Sequence, residues 1–137
     1  MQIRSAAASD AAAIHRLLCA NGWAHRIADA AHLGRLISAS QQAVVALAAD
    51  GGIVGFGRPI RDGISNGYLS RVVGAEPLRR QGIGQALVRH ILGLETDITW
   101  VLRADRPGAA EFFARLGFSP SSAAMERPRK QRLRMAP

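Results

Sequence analysis

Apolar positions along this chain change their period several times, and each change predicts a new element. Residues 2–4 alternate as a short strand. Ser9 or Asp10 then offers a side-chain oxygen to cap a helix running to about Ala20, with Ile14, Leu17 and Leu18 as its apolar stripe. Asn21-Gly22 stops it, and Ala30, Leu33, Leu36 and Ile37 set a second helix within 27–37. Residues 43–48 are continuously apolar, Asp50-Gly51-Gly52 is a turn, and 53–57 resume the apolar run, which predicts a hairpin. A second turn-rich stretch (Arg61-Asp62-Gly63, Asn66-Gly67) precedes a central strand over 68–73, with Gly74 marking a bulge or a close backbone approach. After Pro77, residues 78–84 lead into a helix over 85–92. A buried strand is expected over 98–102, a helix from Pro107 to about Leu116 capped by Gly117, and a weak last strand within 118–127.

With 137 residues, 48% of them hydrophobic, the chain has the size and composition of one folded domain. That domain is expected to span 1–127, followed by a basic, mobile tail over 128–137. Charge sharpens the division. Of the net +8, five basic residues (Arg127, Arg129, Lys130, Arg132 and Arg134) fall in the last eleven positions, which hold no acid; the first 126 residues carry only +3. Such a surplus suits an anionic small molecule better than a nucleic acid, and the Arg-rich tail has no interleaved aromatic for base stacking. No apolar run is long enough for a membrane span, and no signal peptide is apparent. A single cysteine, Cys19, argues for a reducing cytoplasmic setting without disulfides or a Cys-based zinc site.

Chemistry concentrates at Gly82 and Gly84. They stand between a strand and a helix, where unpaired amides and the helix dipole hold phosphate oxygens, and Arg79 and Arg80 add charged donors. Glycine permits close approach of the backbone to a pyrophosphate. Two glycines before a helix also arise as ordinary turn residues. A dinucleotide fingerprint is not completed, since Leu87 stands where a third small residue belongs, and a P-loop is excluded because the only lysine is Lys130.

The run Arg79-x-x-Gly82-x-Gly84 resembles the Q/R-x-x-G-x-G/A signature of GNAT-type N-acetyltransferases. The element order agrees, and Phe112-Phe113-Ala114-Arg115-Leu116-Gly117-Phe118 is similar to that family's F-Y-x-x-x-G-F segment. The resemblance covers 2–127. It implies an α/β (α+β) fold: a mixed, mostly antiparallel sheet, splayed between two central strands and flanked by helices on both faces. It also implies acetyl-CoA as co-substrate and an amine acceptor attacking the thioester directly. The cofactor would lie along the backbone of Val72, Val73 and Gly74, at the turn formed by Arg79, Arg80, Gln81, Gly82, Ile83, Gly84 and Gln85, and beside Arg106 and Phe113. Three departures matter. Glu76, followed by Pro77, stands where the family commonly has a proline, and Gly74 where a valine is usual. The family's usual acid tyrosine is Phe113 here, and its common asparagine is Arg106.

Glu76, Asp62, Tyr68 and Ser70 are the local polar groups from which a base would come, with Tyr68, Ser70 and Glu76 taken as catalytic candidates. Arg71 faces either an acidic substrate group or solvent at a strand edge. Trp23 and His25 line the acceptor groove or cap the core edge. His15 and Cys19 stand i,i+4, a spacing read as a helix-face coincidence, and no histidine has metal-ligand spacing. The leading expectation is an acetyl-CoA-dependent N-acetyltransferase of a small-molecule or peptide amine. A noncatalytic acyl-CoA-binding or sensing domain is the alternative, with a nucleic-acid-associated protein behind it. A homodimer is expected if the last strand leaves a sheet edge to be paired.

Overall fold

The computed structural model describes residues 2–22, 29–40, 42–74 and 82–130. Five strands form one sheet in sequence order: β1 (Gln2–Ser5), β2 (Val44–Leu47), β3 (Ile53–Arg61), β4 (Asn66–Gly74) and β5 (Thr99–Leu102). The first four pair antiparallel, and β5 joins β4 in parallel. Helices α1 (Ala11–Ala20) and α2 (Ala30–Ala39) cover one face; α3 (Ile83–Leu92) and the short α4 (Ala109–Ala114) cover the other.

The continuous apolar run of β2 follows from burial on both faces. Val45 packs with Ile14, Leu18, Leu33 and Phe56 beneath α1 and α2, whereas Val44 and Ala46 pack with Leu87, Val88 and Ile91 of α3. On β3, glycines decide how near α3 can come. A Cβ at Gly55 would stand 2.7 Å from Ile83, and one at Gly57 2.7 Å from Ile91, so α3 lies directly on that stripe.

Two features of β4 shape everything that follows. Arg58 of β3 pairs with Arg71 while Pro59 pairs with Leu69, so Ser70 is an extra residue, a β-bulge. The bulge shifts the alternation: Leu69 and Val72, three apart, both pack toward α3, and Val73 packs toward α1 and α2. Pro59 is tolerated because it sits at this irregularity, beyond the stretch of β3 that pairs with β2. Secondly, β5 pairs only with Asn66, Gly67, Tyr68 and Leu69. Residues 70–74 therefore continue along an edge that β5 has left, which is the expected splay.

Several sequence expectations need correction. The 98–102 segment is buried only at Ile98: β5, which starts at Thr99, alternates exposed and half-buried residues, as an edge strand does. No strand forms within 118–127, which is irregular and mostly exposed coil, turned at Ser121 by its hydroxyl accepting from the Ala123 and Ala124 amides; it has no continuous apolar face to offer a sheet. The last helix is shorter than 107–116, starting only after Gly108 and ending at Ala114. At α1, neither Ser9 nor Asp10 supplies a side-chain cap. Asp10 instead accepts from both terminal nitrogens of Arg4 (2.8 and 3.0 Å) and from the Ala7 amide, and the Arg4 hydrogen bond, first among these, holds its carboxyl below its ordinary value. The cap appears at α2, where Asp29 accepts from the His32 amide at 2.7 Å.

Candidate functional site

Two clefts open on the unpaired half of β4, one from each side. The first, about 750 Å³, is bounded by Val72, Val73 and Gly74, by the start of α3 at Gly82, Gly84 and Gln85, and by Phe112 and Phe113 of α4. The first hydrogen bond of α3 runs from the Ala86 amide to the Gly82 carbonyl, so the amides before it have no acceptor within the helix. Gly82 adopts φ +80°, a left-handed conformation that favours glycine, and a Cβ there would meet nothing within 4 Å. Gly84 serves a different purpose: a Cβ would lie 3.1 Å from the Phe112 ring, so its absence lets α4 close against α3.

Phe113 is fixed by its neighbours, edge-on to Phe112 at 4.9 Å between centroids and to Phe118 at 5.6 Å. A phenyl ring thus holds the place expected for a phenol. Ile83 turns its side chain into the core, 3% exposed, leaving only its backbone toward the helix start. Arg106 borders both clefts, and one guanidinium nitrogen donates to the Asn21 carbonyl at 3.1 Å, tying the end of α1 to the approach to α4. Arg79, Arg80, Gln81 and Glu76 lie outside the described residues, as do Trp23 and His25.

The second cleft, about 620 Å³, lies on the α2 side of β4 and takes in Tyr68, Ser70 and Arg71. The structure thus brings two of the three catalytic candidates together. The Ser70 hydroxyl, on the bulge, accepts from Arg58 Nη1 at 2.9 Å, while Arg58 Nε donates to the Ser40 hydroxyl at 3.0 Å. Burial lowers the pKa of Arg58. Asp62 is elsewhere, closing the turn before β4: its carboxylate accepts from the amides of Ile64, Ser65 and Asn66, which hold its pKa far below the usual carboxylate range. It is a turn residue and a poor base.

Sequence reasoning missed Arg58, although a charge directly after the apolar run 53–57 was a visible signal. It also missed Arg103, Asp105 and Arg129 at this cleft; Arg129 belongs to the stretch read as tail. His15 and Cys19 approach to 3.6 Å on an exposed helix face, away from both clefts. Among the described residues, no cluster of His, Cys, Asp or Glu is arranged to hold a metal ion, and no helix is long and apolar enough to cross a membrane.

Comparison with known proteins bears on this geometry. The acetyltransferase (GNAT) domain family matches residues 40–120, from before β2 to beyond α4. Among solved structures, a GNAT-family acetyltransferase from Streptococcus pneumoniae superposes with a TM-score of 0.73 at 22% identity, over 94% of this chain and 98% of that one. The ribosomal-protein-alanine N-acetyltransferase of Brucella melitensis gives 0.74 at 21%, over 95% and 100%. An acetyltransferase from Trypanosoma brucei gives 0.70 at 22%, over 96% and 99%. At these identities the likeness is one of fold. No curated protein matches significantly.

Proposed function

Because this chain belongs to the GNAT acetyltransferase family, we propose that it transfers an acetyl group from acetyl-CoA to a primary amine of a small molecule or peptide, by direct attack within a ternary complex. One observation carries the reading: among the described residues, Val72 to Gly74 continue β4 beyond its pairing with β5 and line one cleft together with Gly82, Gly84 and Gln85 at the start of α3. A pantetheine arm is an extended chain of amides and pairs with such a stretch as an added strand. A pyrophosphate takes the amides of Ile83, Gly84 and Gln85, which precede the first bond within the helix and where the helix dipole favours negative charge. Arg79, Arg80 and Gln81 extend this set by sequence. Acetyl-CoA, when bound, supplies the activated thioester.

The protein's own contribution is positional. An amide of β4 near the bulge holds and polarises the thioester carbonyl, and the cleft walls exclude water. Tyr68 and Ser70, on the acceptor side, are the hydroxyls available to move a proton from the arriving amine, with Glu76 as the nearby carboxylate in sequence. No group need protonate a thiolate for it to leave, because a thiol is a good leaving group; Phe113 is compatible with turnover. The same Phe113 favours a second reading, a domain that binds acyl-CoA without transferring the acyl group. A cytoplasmic location, where acetyl-CoA and free Cys19 coexist, goes with either.

Calorimetric titration of the purified protein with acetyl-CoA tests the cofactor assignment, beside Gly84→Trp, which pushes an indole against Phe112. Micromolar binding by the wild type that weakens at least a hundredfold in a folded variant supports it. Absence of binding by folded wild type removes it. Thiol release on adding amines then separates transfer from mere binding.

A further inference from the structure

We infer that the acceptor amine carries an anionic group, a carboxylate or a phosphate, held by the arginines that converge on the second cleft. Resting on the acetyl-transfer reading for the identity of that cleft, the inference adds what kind of molecule enters it. Arg58, Arg71, Arg103, Arg106 and Arg129 all line the space, and among its described lining residues Asp105 is the one carboxylate. They come from β3, β4, the end of β5, the approach to α4 and the segment after Glu126, so no single run of sequence accounts for the cluster. Most of the chain is close to neutral, with a surplus of +3 over its first 126 residues. The concentration of charge is therefore local.

Arg58 makes the case most sharply. Its guanidinium is partly buried, and the hydrogen-bond partners described for it are two neutral hydroxyls, Ser40 and Ser70. A cation withdrawn from water beside neutral partners is costly, and the cost falls when a ligand brings the missing negative charge. Its two hydroxyl contacts fix the fork, and a guanidinium has five N–H donors, so donors remain for a ligand. Arg103 is ion-paired with Glu126 through Nε at 3.0 Å and Nη2 at 3.2 Å, which occupies one edge of its guanidinium and leaves the other, and Arg106 is oriented by the Asn21 carbonyl. Planar guanidinium forks held in this way match the paired oxygens of a carboxylate or phosphate. A cleft of about 620 Å³ has the size of a small-molecule site, and its neighbours Tyr68 and Ser70 lie where the amine would lose its proton.

Matched amines with and without the anionic group test this by titration calorimetry: phosphoethanolamine against ethanolamine, and β-alanine against β-alaninamide. The member bearing the anion in at least one pair should bind tenfold or more tightly than the member without it, the pair that responds telling phosphate from carboxylate. Arg58→Gln and Arg71→Gln should each reduce that preference about tenfold while acetyl-CoA affinity stays within twofold. If Arg58→Gln proves unstable by thermal melting, Arg103→Gln takes its place. Equal binding within both pairs, undetectable binding of both anionic members, or a preference that the variants leave intact overturns the inference. Failure of acetyl-CoA to bind, with the anion preference retained, would instead sink the acetyl-transfer reading alone.

Discussion

The two clefts that meet on β4 are built from different materials. On the α3 side the wall is largely backbone: glycines, helix-start amides and a strand edge, with Phe112 and Phe113 closing the far side and Arg106 and Arg115 at its border. On the α2 side it is side chain, chiefly guanidinium groups and hydroxyls. A backbone wall presents the same donors whatever the neighbouring side chains, and so suits a ligand whose chemistry does not change. A side-chain wall is set residue by residue, and so suits a ligand that distinguishes this protein from others of its fold. The bulge at Ser70 joins the two, since it shifts the alternation of β4 and puts Arg71 on one face and Val72 on the other.

Separate perturbation of the two faces sharpens the contrast. The largest effect is expected from Phe56→Ala, which empties a fully buried ring site beneath α1 and α2 and should cost about 3–5 kcal/mol, read as a lower denaturation midpoint at unchanged slope. A smaller loss, about 1–3 kcal/mol, is expected for Gly57→Val, whose added carbons meet Ile91 and lift α3 from the sheet. In the folded protein that variant should weaken acetyl-CoA more than any anion held by Arg58. Equal weakening of both ligands would break the distinction between the faces.

The smallest effect concerns pH. Asp62 and Asp10 have carboxyls lowered from their ordinary values, by the amides of 64–66 and by Arg4 respectively. A lowered folded pKa stabilises above the unfolded value and the benefit is lost on acidification. Stability should therefore be flat with respect to these two groups above about pH 5 and fall below about pH 4. Asp62→Asn should flatten part of that acid limb, which urea melts between pH 3 and 6 would measure.

Much of this was legible without coordinates. The hairpin around Asp50-Gly51-Gly52, the helix after Gly82 and the strand before it follow from local rules, because turn glycines and apolar period act over a few residues. The glycine at the start of α3 was legible for the same reason: it belongs to a short, contiguous piece of backbone. The missing strand at 118–127 and the exposed β5 were not, since whether an extended segment joins a sheet depends on what pairs with it.

The amino-acid sequence by itself determined the order and type of the main elements, the glycine-rich helix start, and the resemblance that the family match bears out. Tertiary structure alone decided that Arg58, Arg71, Arg103, Arg106 and Arg129 share one cleft, that β5 releases β4 after Leu69, and that Ser70 is a bulge. The physical reason is range. Propensity and periodicity act between residues near in the chain, whereas a charge cluster gathered from β3 to the far C-terminal segment exists only once burial of the two cores has folded those segments together.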